Sequence, residues 1–307
     1  MSHQRTLHTA VTCKGIGLHT GRPVKMVLRP APANSGVVFR RIDLPLAPTI
    51  EATPARIVDV NRATTIGKNG VAIRTIEHLM AAFAGTGLDN VEVELDSEEV
   101  PAMDGSAAPF VELIIGAGLK RQLVARTYLK IKERLVVEGE RSSIQIVPSA
   151  RLQVIYTMPF DHPVLGEQSV AFNITREKFA REIAPCRTYG FLKDIERLRR
   201  HNLGLGGSLD NAIVIGDGGV LNGGLRFRDE LVRHKILDLL GDLYLLGRPV
   251  VGTIIAHAAG HHLHTRLVRE IQRHLDLEYP ASAPSSVIER WARPLLQPEQ
   301  ALEVVPS

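Results

Sequence analysis

The sequence is poor in cysteine, in aromatic residues and in long apolar runs. Its 307 residues include two cysteines, Cys13 and Cys186, and aromatic residues make up 5% of the chain. Two thiols in a chain of this length exclude a disulfide-built secreted scaffold and are typical of a reducing compartment. There is no run of about 18 apolar residues, so we expect no transmembrane helix. The opening stretch MSHQRTLHTAV has no apolar core like that of a signal peptide, and we therefore expect a cytoplasmic protein.

The chain also lacks a strong excess of either charge. It has 37 basic and 33 acidic residues, and the basic ones are scattered, with RLRRHN as the one short cluster. It has neither an aromatic RNA-binding motif nor a Cys/His finger spacing. We therefore expect no nucleic-acid partner. A basic RNA-binding α+β protein stays open as an alternative of a different class, and it would bind with a steep dependence on salt.

Two similar series of elements are predicted along the chain. Short strands with turns at NSG and GKNG are followed by a helix IEHLMAAFAG, with Thr75 as its expected N-cap, then by a strand NVEVEL and a helix APFVELIIGAGL. From about Arg126 strands begin again and lead to a helix RHKILDLLGDLYLLG, a strand PVVGTIIAHA, a loop AGHH and a helix HTRLVREIQRHL. This order predicts an α+β fold of two lobes, each a β-sheet layered with helices.

The two lobes are expected to join near the segment LKRQLVART. We predict a first lobe over residues 1–122 and a second lobe over residues 126–281. The remaining residues, 282–307, are rich in proline and serine and are expected to form a loosely held C-terminal tail.

The helix RHKILDLLGDLYLLG carries an unusual polar stripe. With 100° per residue and His234 at zero, Asp238 lies at about 40°, Asp242 at about 80° and Lys235 at about 100°. Apolar residues fill the arc from about 140° to 300°. A solvated helix face usually carries interchangeable polar residues, whereas this stripe holds a specific set. Because burying such groups is costly unless they are paired or bind a metal, we interpret the stripe as part of an active site.

His234 and Asp238 stand one helical turn apart and can bind the same metal ion. A hydrolytic zinc site typically has three protein ligands and a water, so a third ligand is needed. The best donor is His78, and its neighbour Glu77 suits a general base that activates the water. The chain has no HExxH motif, which excludes the usual zinc-protease helix. Taken separately, a His-x3-Asp pair is more often a surface pair, and Glu77 is explained as a first-turn acid favoured by the helix dipole.

Asp242 and Lys235 extend this predicted site. We expect Asp242 to pair with His261, on the loop after the strand PVVGTIIAHA, because a carboxylate beside an imidazole favours the protonated ring. His261 would then donate a proton to a leaving group, although His262 and His264 compete with it for this role. Lys235 is placed to attract a phosphate, although on its own it is more simply a solvated lysine.

Long motifs along the chain resemble those of a known family. The segments are GIGLHTGRPV, RTIEHLMAAFAGTGLDN, PAMDGSAAPFVELI, APCRTYGFLKDIERLR, LNGGLRFRDELVRHKILDLLGDLYLLG and AAGHHLH. In this order, over nearly the whole chain, they resemble the UDP-3-O-acyl-N-acetylglucosamine deacetylases, zinc-dependent hydrolases of lipid A biosynthesis. The resemblance implies two similar lobes that face each other around the active site. It also implies release of acetate from the nucleotide sugar, the committed step of lipid A biosynthesis.

The resemblance further implies a role for each site residue. The metal ligands and catalytic residues that it implies are His78, His234 and Asp238 for one catalytic Zn2+, and Glu77, His261, Asp242 and Thr188 for the chemistry. The substrate-binding residues that it implies are Lys235, Phe160, Tyr189 and Phe191. In this reading Thr188 polarises the substrate carbonyl, Phe160 receives the uracil ring, and the region from Tyr189 to Val214 lines a passage for the acyl chain.

Two positions depart from the pattern of the family. Cys186 stands where a smaller alanine is expected, so an extra thiol is expected near the site. Ala258 stands where related proteins can have a lysine, so contacts to the diphosphate are expected to differ.

The partner implied by the resemblance is a small amphiphilic nucleotide-sugar substrate. Its product enters a membrane, so loose membrane proximity is compatible with the sequence, and we expect a monomer. A zinc amidase that acts on a different acylated sugar is the remaining alternative.

Overall fold

The computed structural model of this chain describes residues 2–274. The tail predicted over residues 282–307 and the end of the predicted second lobe lie outside the described residues. The helices are α1 (Glu77–Thr86), α2 (Ala108–Ala117), α3 (Arg176–Lys178), α4 (Leu192–Arg200), α5 (Glu230–Tyr244) and α6 (His261–His274), with a 3-10 turn at Pro54–Arg56 and a π-helical turn at Phe179–Ile183. Over this part of the chain, none of the helices is both long and apolar enough to span a bilayer.

Twenty short strands complete the secondary structure of residues 2–274. They are β1 (His3–Leu7), β2 (Val11–Ile16), β3 (Pro23–Pro30), β4 (Val37–Arg41), β5 (Thr49–Glu51), β6 (Ile57–Asp59), β7 (Thr65–Lys68), β8 (Val71–Ile73), β9 (Val91–Leu95), β10 (Leu119–Ala125), β11 (Leu129–Lys130), β12 (Leu135–Glu138), β13 (Ser143–Val147), β14 (Gln153–Pro159), β15 (Glu167–Asn173), β16 (Tyr189–Phe191), β17 (Ile213–Gly216), β18 (Gly219–Val220), β19 (Val250–Val251) and β20 (Thr253–His257).

Two five-stranded sheets share one topology. The strand order is β2-β3-β9-β4-β5 in the first sheet and β12-β13-β20-β14-β15 in the second. In each sheet the central strand is antiparallel to one neighbour and parallel to the other. Helices α1 and α2 flank β9 in sequence, as α5 and α6 flank β20. The predicted α+β fold of two similar sheet-and-helix lobes is therefore confirmed.

The burial pattern of each element explains where it lies. In β9, Val91, Val93 and Leu95 are buried and alternate with half-buried glutamates, as in a strand with one face against the core. By contrast, α1 and α5 are buried on nearly all sides. A helix that is covered all round belongs in the interior, and these two helices pack against each other there.

The two central helices approach closely at Gly241 of α5. A Cβ at this position would collide with the backbone of Glu77, the first residue of α1. Because Gly241 has no side chain, the start of α1 can lie directly against α5. This contact brings Glu77 and His78 beside the polar stripe of α5.

Smaller sheets cover the edges of the lobes. β10, which occupies most of the segment where the lobes are expected to join, pairs with β1 in antiparallel fashion. β6, β7 and β8 form one three-stranded sheet, and β16, β17 and β18 form another. β11 pairs in parallel with β19. The boundaries of the two lobes stay a prediction.

Thr75 does not cap α1, contrary to the expectation from sequence. The N-cap is Ile76, without a side-chain cap, and Thr75 has a φ of 57°. Its hydroxyl donates instead to Glu99 Oε1 at 2.7 Å. A β-branched residue in the left-handed region is strained, so this hydrogen bond to a fully buried carboxylate helps to hold the backbone just before the site.

His261 does not lie on a loop, which is a second correction. It is the first residue of α6, which starts directly after Gly260. The glycine and the histidines of AGHH indicated a loop, but the backbone already turns into a helix at the first histidine. The side chain of His261 is therefore held by a regular helix at the end of β20.

Candidate active site

Three potential metal ligands from two helices meet at one point. His234 Nε2 lies 3.2 Å from Asp238 Oδ1, and His78 Nε2 lies 3.5 Å from the same oxygen. The two imidazole rings meet edge to face with centroids 4.9 Å apart. One ligand atom from each residue lies within 4.8 Å of the others, and all three residues are buried. The structure thus brings together the three residues that the sequence analysis selected from α1 and α5.

The donor set fits a bound metal ion. Asp238 Oδ1 is buried and accepts no hydrogen bond from any residue in 2–274, whereas buried carboxylate oxygens normally have a partner. His234 Nδ1 lies 3.0 Å from the carbonyl oxygen of Cys186, which places the proton on Nδ1 and leaves the lone pair of Nε2 toward Asp238. Two imidazoles and one carboxylate are a typical set for hydrolytic zinc, with a position left for water.

The second oxygen of Asp238 is occupied by Lys235. Lys235 Nζ donates to Asp238 Oδ2 at 2.6 Å, and it lies 5.9 Å from the centre of the Tyr189 ring. Burial opposes the charge on this ammonium group, but Asp238 holds its pKa above the ordinary value. Lys235 is therefore a charged group beside the metal ligands, and its hydrogen bond to Asp238 was not predicted from the sequence.

Asp242, one turn further along α5, accepts from two imidazoles. Its Oδ2 lies 2.8 Å from His261 Nδ1 and 3.0 Å from His264 Nδ1. Burial opposes the charge on both Asp242 and His261, but their mutual attraction lowers the pKa of Asp242 to about 2 and raises the pKa of His261 to about 9. Burial lowers the pKa of His264 instead. At neutral pH His261 is therefore the charged ring of this pair.

Glu77 lies near the other ring nitrogen of His261 and beside Thr64. Its Oε1 is 3.9 Å from His261 Nε2, and its Oε2 accepts from the backbone N–H of Thr64 at 3.0 Å. Burial raises the pKa of Glu77, while His261 and His78 oppose this shift. His261 Nε2 also lies 3.8 Å from Asp238 Oδ2, so a carboxylate and an imidazolium both border the metal ligands.

Thr64 was missed by the sequence analysis, although it contacts three parts of the site. Its hydroxyl donates to Asp242 Oδ1 at 2.6 Å and lies 3.2 Å from His261 Nδ1, in addition to the backbone contact with Glu77. It precedes β7 in the stretch RATTIG, where no motif or spacing marks it. His264 was considered only as a competitor of His261, but it supports the same carboxylate and lies 2.9 Å from the hydroxyl of Tyr156.

A cavity of about 580 Å3 is lined by Glu77, His78, His234, Asp238 and His261. Phe160, Tyr189, Phe191, Thr188 and Lys235, expected to bind substrate or act on it, also line this cavity. The aromatic rings contact one another, with centroids 5.8 Å apart for Phe160 and Tyr189 and 6.3 Å apart for Tyr189 and Phe191. The structure therefore brings every predicted site residue to one cavity, except Asp242, which lies behind His261.

A second cavity of about 420 Å3 adjoins the first and is mostly apolar. Thr188, Tyr189 and Phe191 line both cavities and therefore lie at the border between them. Residues of α4 and of the stretch before β17 form much of the rest of its wall, together with Leu18, His19, Arg62 and Leu221. The backbone of Thr188 is held by two hydrogen bonds of 2.8 Å. Its N–H donates to the carbonyl of Gly105, and its carbonyl accepts from the N–H of Ile213.

Comparison with known proteins covers nearly the whole chain. The family model "LpxC: UDP-3-O-acyl N-acetylglycosamine deacetylase" matches residues 4–273. A UDP-3-O-acyl-N-acetylglucosamine deacetylase of Syntrophotalea carbinolica is 47% identical over 90% of this chain and 90% of that protein. One from Geobacter sp. strain M21 is 47% identical over 90% and 91%. One from Alcanivorax borkumensis is 43% identical over 97% and 100%. The similarity therefore extends far beyond the metal-binding motifs.

Proposed function

The chain belongs to the UDP-3-O-acyl-N-acetylglucosamine deacetylase family, and on this premise we propose how its residues carry out the reaction. The enzyme hydrolyses the acetamide of UDP-3-O-acyl-N-acetylglucosamine and releases acetate and the free amine, a step of lipid A biosynthesis. The alternatives of an RNA-binding protein and of an amidase for another sugar are not supported. The observation that carries the assignment of roles is that three metal ligands, Glu77 and His261 border one cavity.

We propose Zn2+ as the single catalytic ion, held by His78, His234 and Asp238. When bound, such an ion lowers the pKa of a water molecule and polarises the acetamide oxygen. The unpartnered Oδ1 of Asp238 and the tautomer of His234 support this assignment. Lys235 donates to the other oxygen of Asp238, so that Oδ1 would be available to hold the ion.

Glu77 would act as the general base. It is the carboxylate next in sequence to the ligand His78, and the N–H of Thr64 fixes one of its oxygens while the other faces the cavity. Its raised pKa brings it closer to the operating pH, which favours proton transfer from the attacking water. The water oxygen then bonds to the acetyl carbon.

His261 would act as the general acid. Asp242 accepts from its Nδ1 and keeps the ring charged, so that Nε2, which faces the cavity, carries a proton for the sugar nitrogen. When this proton is transferred, the C–N bond breaks and acetate leaves with the water oxygen. Thr64 and His264 complete the hydrogen bonds of Asp242 and so fix its position.

Thr188 would stabilise negative charge on the acetamide oxygen. It lies on the border between the two cavities, where a substrate that spans both must pass. A preorganised hydroxyl at that point contributes most when charge develops on the oxygen. The fixed backbone of Thr188 supports this role.

The two cavities would receive the two ends of the substrate. The acyl chain would enter the apolar cavity of about 420 Å3, whose wall includes many residues of the region from Tyr189 to Val214. Phe160 would stack with the uracil ring, Tyr189 and Phe191 would contact the sugar and the start of the acyl chain, and the charge of Lys235 would attract the diphosphate.

We also propose that the protein acts in the cytoplasm as a monomer, built of lobes at residues 1–122 and 126–281. Both cysteines are free thiols, as is usual in a reducing compartment. The matching topology of the two sheets supports the division into lobes.

The test is acetate release from UDP-3-O-acyl-N-acetylglucosamine together with metal analysis of the same preparation. The wild type should contain about one Zn2+ per chain and lose activity on chelation, and a His234→Ala variant should contain no metal and be inactive. An exposed histidine, changed as His8→Ala, is the matched control and should leave both readings unchanged. A fully metallated His234→Ala protein would refute the ligand assignment.

A further inference from the structure

Three arginines converge where the elements of the two lobes meet, and none of them lines the active-site cavity. Arg5 lies on β1, Arg126 follows β10, and Arg176 is the first residue of α3. Arg126 and Arg176 are only 2% and 3% exposed. Burying a guanidinium group is costly unless its charge is compensated and its N–H groups have acceptors.

One carboxylate compensates these charges only in part. Asp89 Oδ1 accepts from Arg126 Nε at 2.7 Å, and Asp89 Oδ2 accepts from the backbone N–H of Arg5 at 2.8 Å. The charge of Asp89 acts on all three arginines. It is the main cause that opposes burial at Arg126 and keeps the pKa of that group above its ordinary value, whereas the pKa values of Arg5 and Arg176 remain lowered. One carboxylate therefore does not compensate all three positive charges.

Several donors in this cluster have no acceptor. Within the described part of the chain, no partner exists for Arg126 Nη1 and Nη2, for Arg176 Nε and Nη2, or for the hydroxyl of Tyr128. Buried polar groups are nearly always hydrogen-bonded, and one unpartnered donor would already need an explanation. Five donor atoms in one cluster indicate a missing acceptor.

The electrostatics of Arg176 agree with this geometry. Burial, and after it the charges of Arg5 and Arg126, lower the pKa of Arg176 to about 9. The ordinary pKa of arginine lies above 12. A negative charge placed between these arginines would oppose both the burial and the repulsion that lower this pKa.

Gly87 leaves room for the two guanidinium groups to face the same point. A Cβ there would collide with Arg176 Nη2 and come within 3.1 Å of Arg126 Nη1. Gly87 is also the C-cap of α1, with a φ of 72°. The last carbonyls of α1 contribute partial negative charge at this end of the helix, but none of them accepts a hydrogen bond from the unpartnered nitrogens.

We propose that a small inorganic anion of halide size, such as chloride, binds between Arg126 and Arg176, with the hydroxyl of Tyr128 as a further donor. A spherical anion accepts several N–H and O–H donors without a fixed direction, and it is small enough for a buried site. By linking Arg126 and Tyr128, which lie between β10 and β11, to Arg176 of α3, it would stabilise the joint between the lobes and take no part in catalysis.

The direct test uses bromide, which replaces chloride and scatters anomalously. Crystals of the wild-type enzyme soaked in sodium bromide should show an anomalous peak within hydrogen-bonding distance of the guanidinium groups of Arg126 and Arg176. A peak without anomalous signal, which means ordered water only, would overturn the proposal, as would bromide at the metal site alone.

A thermal measurement tests the same site in solution. Gluconate is replaced by chloride at constant ionic strength, up to a chloride concentration of about ten times its dissociation constant from the site. This exchange should raise the melting temperature of the wild type by about 2–5 °C. The dependence of the melting temperature on chloride should disappear in Arg176→Gln and weaken in Tyr128→Phe. Tyr128→Phe removes only a hydroxyl, so it tests the site even if Arg176→Gln fails to fold. The control is Arg181→Gln, an exposed arginine in the next turn, which should keep the wild-type dependence. Equal chloride dependence in Tyr128→Phe, Arg176→Gln and the wild type would refute the site.

Discussion

His234 Nδ1 lies 3.0 Å from the backbone carbonyl oxygen of Cys186, and this contact selects the nitrogen of His234 that faces Asp238. The contact uses the backbone of Cys186, not its side chain. The thiol instead lies 3.4 Å from the carbonyl of Glu182, and burial raises its pKa above the usual range. The extra thiol expected near the site is therefore an uncharged side chain that points away from the metal ligands.

Replacing this thiol should leave the chemistry intact. In Cys186→Ala the carbonyl that orients His234 remains, so metal content and kcat should stay within about two-fold of the wild type, since only the packing of the thiol and its weak contact with the Glu182 carbonyl are lost. Metal analysis and acetate release measure both quantities. Loss of metal in Cys186→Ala, with the fold retained by circular dichroism, would mean that the thiol itself contributes to the site.

Removing the carboxylate next to the metal ligands should separate catalysis from metal binding. Glu77→Gln keeps the shape and the contact with the Thr64 N–H but cannot take a proton, so kcat should fall by about 10²–10⁴-fold with the metal retained. Glu112→Gln changes an exposed glutamate on α2 and should have no effect. If Glu77→Gln keeps more than a tenth of the wild-type kcat, another group acts as the base.

The pair of Asp242 and His261 should determine the alkaline limb of the pH profile. The general acid must be protonated, so kcat/KM should fall as pH rises through the pKa of His261, about 9 before the positive charge of a bound metal lowers it. In Asp242→Asn the main cause of the raised pKa is lost while burial still lowers it, so this limb should move to lower pH by at least one unit. The acid limb is expected to come from Glu77, whose pKa burial raises in the metal-free site. An unmoved alkaline limb in Asp242→Asn would exclude His261 as the group that titrates there.

The same pKa shift predicts how stability depends on pH. Because the pKa of His261 is raised on folding, its contribution to the free energy of unfolding is fully present below about pH 6.5 and is lost between there and about pH 9. Metal-free wild type should therefore lose more stability over this interval than His261→Asn. Urea unfolding at both ends of the interval measures the difference.

The polar stripe of α5 was predictable because its information is local. A periodicity of 100° per residue places His234, Asp238 and Asp242 on one side of a single helix, whatever that helix packs against. The strands of the sheets were predictable for the same reason, from alternation as in β9. Local geometry thus accounts for the fold class and for two of the three proposed metal ligands, His234 and Asp238.

No spacing in the sequence predicts that His78 meets His234. That expectation rested on the choice of His78 as the best remaining donor and on the family resemblance. It depends on how α1 and α5 pack, which is a long-range property. Thr64 was missed because its contacts reach residues that are distant in the chain, with no motif of its own. Thr75 was wrongly expected to cap α1, since the distant carboxylate of Glu99 takes its hydroxyl.

The close approach of α1 and α5 gives the last prediction. In Gly241→Ala the new methyl group would collide with the backbone of Glu77, and the helices must separate. Overpacking of this kind costs about 1–3 kcal/mol, and it should also move His78 away from Asp238 and weaken metal binding. Gly116→Ala is the matched control, because it lies on α2 with nothing within 4 Å of the added Cβ and should be neutral or stabilise the protein by up to about 1 kcal/mol.

Both variants can be compared by urea unfolding and by competition of the metal with a chelator. Gly241→Ala should unfold at lower urea and lose its metal at lower chelator concentration, whereas Gly116→Ala should match the wild type in metal affinity. Because the collision involves the backbone, no rotamer of a neighbouring side chain can relieve it, and the two effects should appear together. A Gly241→Ala protein that is destabilised but binds metal as tightly as the wild type would show that the ligand geometry does not depend on how closely the two helices pack.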